Sequence, residues 1–282
     1  MAVTGLSPKV GAGAAKQDPI LQALGKFGVT RMDEKTEAPR RMIVNVSGLE
    51  KSGKTNFVGT CPGPILYISI DFGDEGVIDK FSSSKAIYPL EVKIDHPRGA
   101  SPLEMANLYD EYWKNICDVY YGIFEMKSGR PRTIAVDTAT ELWEILRMAR
   151  FGKLTQVKPH HYGPVNAEFR RFIRKAYESD VNLVLLSKLK EEWKDKPDGK
   201  GGTVGERTGE YIRAGWSDLE YNTQVNVRVW KDPAVPGLDK FHLHVEDCRR
   251  NPMMEGEEYV GETCGFPYLA ADVFGVSPKE WM

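Results

Sequence analysis

Gly48-Leu49-Glu50-Lys51-Ser52-Gly53-Lys54-Thr55 is the stretch of this chain whose residue types and spacing dictate a chemistry. Its two glycines let the backbone curl so that successive N–H groups point into one hollow, a shape that holds phosphate oxygens. Lys54 brings a positive charge to the β- and γ-phosphates of a nucleoside triphosphate, and Thr55 offers a hydroxyl to Mg²⁺. A helix starting at Lys54 adds the positive end of its dipole. The expected nucleotide contacts are Gly48, Leu49, Glu50, Lys51, Ser52, Gly53, Lys54, Thr55 and Asn56.

Other groups complete such a site when they sit at strand ends along the same sheet edge. Arg132-Thr133-Ile134-Ala135-Val136-Asp137 is an apolar strand ending in a carboxylate, the form of a Walker B segment. Asp137 is the expected second Mg²⁺ contact beside Thr55. Asp71, at the end of Pro64–Ile70, is the first candidate to orient an attacking water, and Glu75 the second. Ser187 or Lys188, at the exit of Val181–Ser187, is placed to sense a γ-phosphate, and Arg249 to reach one in the same or the next subunit.

The elements that must position these groups are legible around them. Met42–Val46 is an apolar, β-branched run, as a buried strand needs, and the helix after the loop stops at Cys61-Pro62-Gly63-Pro64. Tyr88–Ile94 reads as a short third strand. Ser101–Gly122 reads as a helix with Ser101 as cap, Pro102 in the first turn and Glu104 three residues on. Glu141–Phe151 and Val165–Tyr177 are further helices, the second with Arg170, Arg171, Arg174 and Lys175 on a solvated face. Glu191–Gly215 reads as a long glycine-rich, cationic loop. Thr223–Trp230 and Lys240–Glu246 alternate as an antiparallel hairpin. The expected division is an arm over 1–38, a core over 39–252 and an extension over 253–282.

Of the 282 residues, 41% are hydrophobic and 28% charged, with a formal net charge of −2, so nucleic-acid binding would need a local patch. Cys61, Cys117, Cys248 and Cys264 have no metal or disulfide spacing and read as reduced thiols. No apolar run is long enough to span a membrane, and the N-terminus lacks the apolar core of a signal peptide. The expected location is cytoplasmic. His160-His161 in a loop reads as a surface contact, and His242 and His244 share a strand face without other obvious ligands.

This order of motifs resembles the RecA-like core ATPases, especially short phage-encoded ones linked to recombination or single-strand annealing. Thr140-Glu141-Leu142-Trp143-Glu144, Phe151-Gly152-Lys153-Leu154-Thr155 and Asn166-Ala167-Glu168-Phe169-Arg170 look like that group. The resemblance implies an α/β fold, a mostly parallel twisted sheet flanked by helices. It implies ATP and Mg²⁺ at Lys54, Thr55 and Asp137, ring or filament assembly, and single-stranded DNA contacts through the 194–215 loop. RecA-type proteins place a glutamate where Asp71 stands. Two rival readings are a nucleotide-gated oligomeric interaction protein with slow hydrolysis, and a small-molecule kinase with Arg207 and Arg213 in its lid.

Overall fold

The computed structural model describes Lys26 and residues 40–70, 76–197 and 202–282. The expected N-terminal arm, Lys26 apart, lies outside the described residues, as do Asp71 and Glu75.

Within residues 40–282, strands and helices follow as β1 (Ile43–Gly48), α1 (Lys54–Gly59), β2 (Ile65–Ser69), β3 (Ile87–Glu91), α2 (Pro102–Glu125), β4 (Thr133–Asp137), α3 (Ala139–Phe151), α4 (Tyr162–Ala176), β5 (Asn182–Pro197), β6 (Thr203–Arg213), β7 (Val225–Lys231), β8 (Phe241–Cys248), β9 (Glu258–Val260) and α5 (Phe266–Phe274). The sheet order is β3-β2-β4-β5-β1-β7-β8-β9, with β6 added to β5. From β3 to β7 every neighbouring pair is parallel, and β8 and β9 continue antiparallel.

Burial on both faces explains the apolar strands. Met42, Ile43, Val44 and Val46 are 0% exposed, because β1 is central and layers cover it from both sides. One face carries α2, α3 and α4, whose Tyr109, Trp113, Leu142, Phe169 and Phe172 pack on Ile68, Ile134 and Leu185. The other carries α1 and α5, whose Phe57, Val58, Phe266 and Leu269 pack on Val44, Val46, Val227 and Leu243. The stripe Val165, Phe169, Phe172, Ile173, Ala176 on α4 recurs at helical spacing, and each fully buried Phe or Ile contributes about 1.5–3 kcal/mol. Ser101 caps α2 as the sequence predicts, in a reciprocal capping box with Glu104. Arg150 ties the three helices together, reaching Asp110 on α2 at 2.5 Å and Glu168 on α4 at 2.7 Å. Among the described residues no helix is long and apolar enough to cross a membrane.

One sequence expectation needs correction. Of the expected 191–215 loop, residues 191–197 and 203–213 form strands: β5 continues to Pro197 and pairs antiparallel with β6, from Leu189 opposite Arg213 to Pro197 opposite Thr203. This ribbon is held by cross-strand pairs, Lys196–Glu206 at 2.8 Å, Arg207–Glu191 at 3.2 Å and Arg207 over the Trp193 ring at 5.0 Å. In the expected extension over 253–282, Phe266, Leu269, Ala270 and Trp281 are buried in the second apolar layer.

Candidate functional site

The parallel strands deliver their C-terminal ends to one edge. The register sets Gly48 beside Lys188, Asp137 beside Leu186, and Ser69 beside Asp137. Strand β5 thus stands between the glycine-loop strand and the Asp137 strand.

The loop between β1 and α1 curls through Lys51 at φ 60° and Gly53 at φ 103°. At Gly48 a side chain has no room: a Cβ would lie 2.4 Å from Ser52 Oγ and 2.7 Å from the Val229 carbonyl oxygen. The Lys54 ammonium donates to the Gly48 and Leu49 carbonyls at 2.9 and 2.7 Å, so its charge is held over the loop. Ser52 Oγ is buried and finds no hydrogen-bond partner among the described residues. A cavity of about 750 Å³ opens here, lined by residues 48–56 together with Asp137, Thr138, Lys188, Lys80 and Phe241. Its volume suits a nucleotide-sized ligand.

On the floor of this cavity, Thr55 Oγ1 donates to Asp137 Oδ2 at 3.0 Å. The Tyr67 hydroxyl, on the fully buried Tyr67 of β2, donates to the same oxygen at 2.6 Å. A hydroxyl and a carboxylate are the hard oxygen donors that Mg²⁺ takes, one or two from protein and the rest from phosphates and water. The curled cationic loop fits a polyphosphate, and this pair fits its Mg²⁺. Among the described residues no cluster of three or more His, Cys, Asp or Glu is arranged to hold a metal ion.

Lys188 lines the cavity, and its ammonium pairs with Glu141 at 2.7 Å. Its backbone N–H donates to Thr140 Oγ1 at 3.0 Å, and its carbonyl accepts from Ala214 N–H at 2.8 Å. The phosphate-side edge is thereby tied to both roots of the β5–β6 ribbon. Ser187, the alternative, is committed inside the sheet, donating to Asn45 Oδ1 at 2.6 Å. Arg249 is not brought to this site. It follows Cys248, which pairs with Val225 at the opposite sheet edge, and it donates to the Tyr221 carbonyl. Antiparallel pairing carries the end of β8 away from the phosphate edge. Arg207 and Arg213 belong to the ribbon, Arg213 pairing with Glu220 at 2.8 Å, so they do not form a kinase-type lid over a second pocket.

No local pattern marked Tyr67, Lys80 or Phe241. Tyr67 read as one more strand residue, and its role depends on β2 lying beside β4. Phe241 reaches the loop from a distant hairpin: a Cβ on Gly53 would meet its ring at 3.2 Å. The cysteines play no part: burial pushes every thiol up, Cys117 to about 12 and Cys264 to about 11, which keeps them protonated and poorly nucleophilic.

A family model described as an AAA domain matches residues 40–227, and the chain belongs to that family of P-loop ATPases. No curated protein matches the chain. Among solved structures it is similar to a prototypical ATPase from the type III secretion system of pathogenic bacteria, at 8% identity and a TM-score of 0.40, covering 67% of this chain and 52% of that one. The chain thus spans about half the length of that protein.

Proposed function

We propose that this protein is a Mg²⁺-dependent, ATP-hydrolysing RecA-like enzyme that works on single-stranded DNA in phage recombination or replication. The observation that carries the hydrolytic part is the Thr55–Asp137 pair at 3.0 Å beneath the Lys54 loop. When bound, Mg²⁺ would be held by Thr55 and Asp137 and would neutralise phosphate charge. Tyr67 fixes the Asp137 carboxylate, Lys54 stabilises charge developing on the β- and γ-phosphates, and Lys188 faces the same cavity. A carboxylate from Asp71 or Glu75 orients the water. The DNA part rests on the resemblance of the motif order and on the β5–β6 ribbon, where Trp193 and Tyr211 are exposed beside lysines and arginines. We assign the ATPase core to 39–252, the arm to 1–38 and the extension to 253–282, in a homo-oligomeric ring or filament in the host cytoplasm.

A second reading, a nucleotide-gated assembly protein, draws support from the same ribbon. Its cations are largely paired with carboxylates, Lys194 with Glu192, Lys196 with Glu206 and Arg207 with Glu191, which weakens its pull on phosphates. Its roots are tied to the nucleotide cavity through Lys188 and Thr140, so a change at the γ-phosphate can reach it.

ATP hydrolysis with and without single-stranded DNA, for the parent and Lys54→Ala at two salt concentrations, separates the readings. Loss of a preorganised donor to a transition-state oxygen costs about 10²–10³-fold in kcat. DNA stimulation that fades with salt supports the recombination ATPase. Hydrolysis indifferent to DNA, with an ATP-dependent increase in particle size, supports the assembly protein. Parent-like hydrolysis by Lys54→Ala overturns the site assignment.

A further inference from the structure

Away from the nucleotide cavity, between the C-terminal halves of α2 and α4, lies a second concavity of about 670 Å³. Its apolar wall is made by the rings of Tyr121 and Phe124 on α2, both only partly buried. Its polar wall is the cationic run of α4. The sequence reads that run as a solvated face, but the structure sorts it into two kinds of residue. Arg170 is paired with Asp218 at 3.2 Å, and Lys175 with Glu178 at 2.7 Å. Arg171 and Arg174 are exposed, line the concavity and have no carboxylate partner among the described residues. Glu178 stands four residues after Arg174 and would be its natural helical partner, but Lys175 takes it. One further carboxylate, Glu125, lines the rim, so the concavity holds four cations against two anions in a chain of net charge −2.

Two uncommitted guanidiniums one helical turn apart, facing the partly buried rings of Tyr121 and Phe124 across a groove, with the Lys175 ammonium 5.8 Å from the Phe124 ring centre, have a definite ligand chemistry. Guanidinium forks match phosphate oxygens, and aromatic faces take up a planar base by stacking. The β5–β6 ribbon offers less to a polyanion, because its Lys194, Lys196 and Arg207 are paired with carboxylates of the ribbon itself.

We propose that the α2–α4 groove binds a nucleotide unit, its base against Tyr121 and Phe124 and its phosphate between Arg171 and Arg174, and that the unit belongs to a single nucleic-acid strand. This goes beyond the hydrolytic reading and rests only on the DNA part of the proposed function. Phosphate contact here is remote from the γ-phosphate, so the groove acts as a holding site and takes no part in hydrolysis.

The test is fluorescence anisotropy of a labelled oligo-dT on the full chain across a salt series, for the parent, Arg171→Ala/Arg174→Ala, Arg171→Lys/Arg174→Lys and the ribbon variant Trp193→Ala/Arg207→Ala. Loss of the one phosphate held between the two arginines lowers the slope of log K against log salt by about 0.7, which is about 5-fold in affinity at 0.1 M relative to 1 M salt. The alanine pair is expected to show that loss while keeping the parental melting curve and ATP turnover without DNA, and the lysine pair to keep the parental slope. Displacement of oligo-dT by dTMP, sensitive to the same substitutions, shows that the groove takes one nucleotide unit and supports it. Parental affinity and slope in the alanine pair overturn the proposal. If the ribbon variant alone abolishes binding, the groove falls and the ribbon reading stands. If the parent binds neither oligo-dT nor dTMP, the groove and the DNA reading both fall while the hydrolytic reading is untouched.

Discussion

Tyr67→Phe is the sharpest probe of how the metal-side carboxylate is built. The substitution removes one oxygen from a fully buried position and keeps the ring, so no cavity forms. What is lost is the 2.6 Å hydrogen bond to Asp137 Oδ2, leaving Thr55 Oγ1 at 3.0 Å on that oxygen. Hydrogen bonds to charged groups contribute about 1.5–3 kcal/mol. In a protein of this size each kcal/mol moves Tm by roughly 2–4 °C, so a fall of about 3–12 °C is expected. Function should suffer along a different axis. Outer partners that orient a metal-binding carboxylate are worth about 10–100-fold in metal affinity or activity. ATP hydrolysis should therefore require a Mg²⁺ concentration about 10–100-fold higher for half-saturation, with kcat at saturating Mg²⁺ falling less. The assay is steady-state hydrolysis over a Mg²⁺ titration, paired with thermal melting. Parental Mg²⁺ dependence together with a parental Tm would refute the claim that Tyr67 positions Asp137.

Gly48→Ala should cost about 1–3 kcal/mol in chemical denaturation and weaken nucleotide binding, because its Cβ meets the Val229 carbonyl at 2.7 Å and that backbone cannot step aside. An unchanged Kd for ATP would contradict it. Arg150→Leu should destabilise the helical layer by about 1–3 kcal/mol, since Asp110 and Glu168 both lose their bridge. Burial pushes the Asp110 carboxyl up, but Lys114 and Arg150 outweigh it and hold the pKa below the usual range. Asp110 thus contributes stability above the ordinary carboxylate pKa that is lost as pH falls through its lowered folded value, and Arg150→Leu should flatten that acid limb in urea titrations. Asp247 is the opposite case: burial raises its carboxyl above the usual range, against the Asn226 amide that donates to it at 3.0 Å. Its contribution is present below the unfolded carboxylate pKa and lost as pH rises through the folded one. Asp247→Asn should therefore be more stable than the parent at pH 7 and equal to it near pH 3, and equal stabilities at both would count against the assignment.

The glycine loop, the apolar strands and the amphipathic helices were legible because each is written in local physics. Gly48 and Gly53 mark a backbone curl, Met42–Val46 marks burial on both faces, and Ser101 with Glu104 marks a helix start. Those signals sufficed for a mostly parallel α/β fold with a terminal antiparallel pair. The β5–β6 ribbon was missed because both its faces are polar, so no alternation announces a strand and only cross-strand charge pairs reveal it. The long separations were beyond the sequence altogether. Tyr67 meets Asp137 because β2 pairs with β4, Phe241 reaches Gly53 because β8 folds back on β7, and Arg249 is carried to the far edge by the same turn. Arg171 and Arg174 differ from Arg170 and Lys175 only in what tertiary packing sets beside them. Residue type and spacing determined which chemistry the chain carries. Strand order decided which of those groups meet, because a contact between distant residues depends on how the intervening elements pack, which no local stretch encodes.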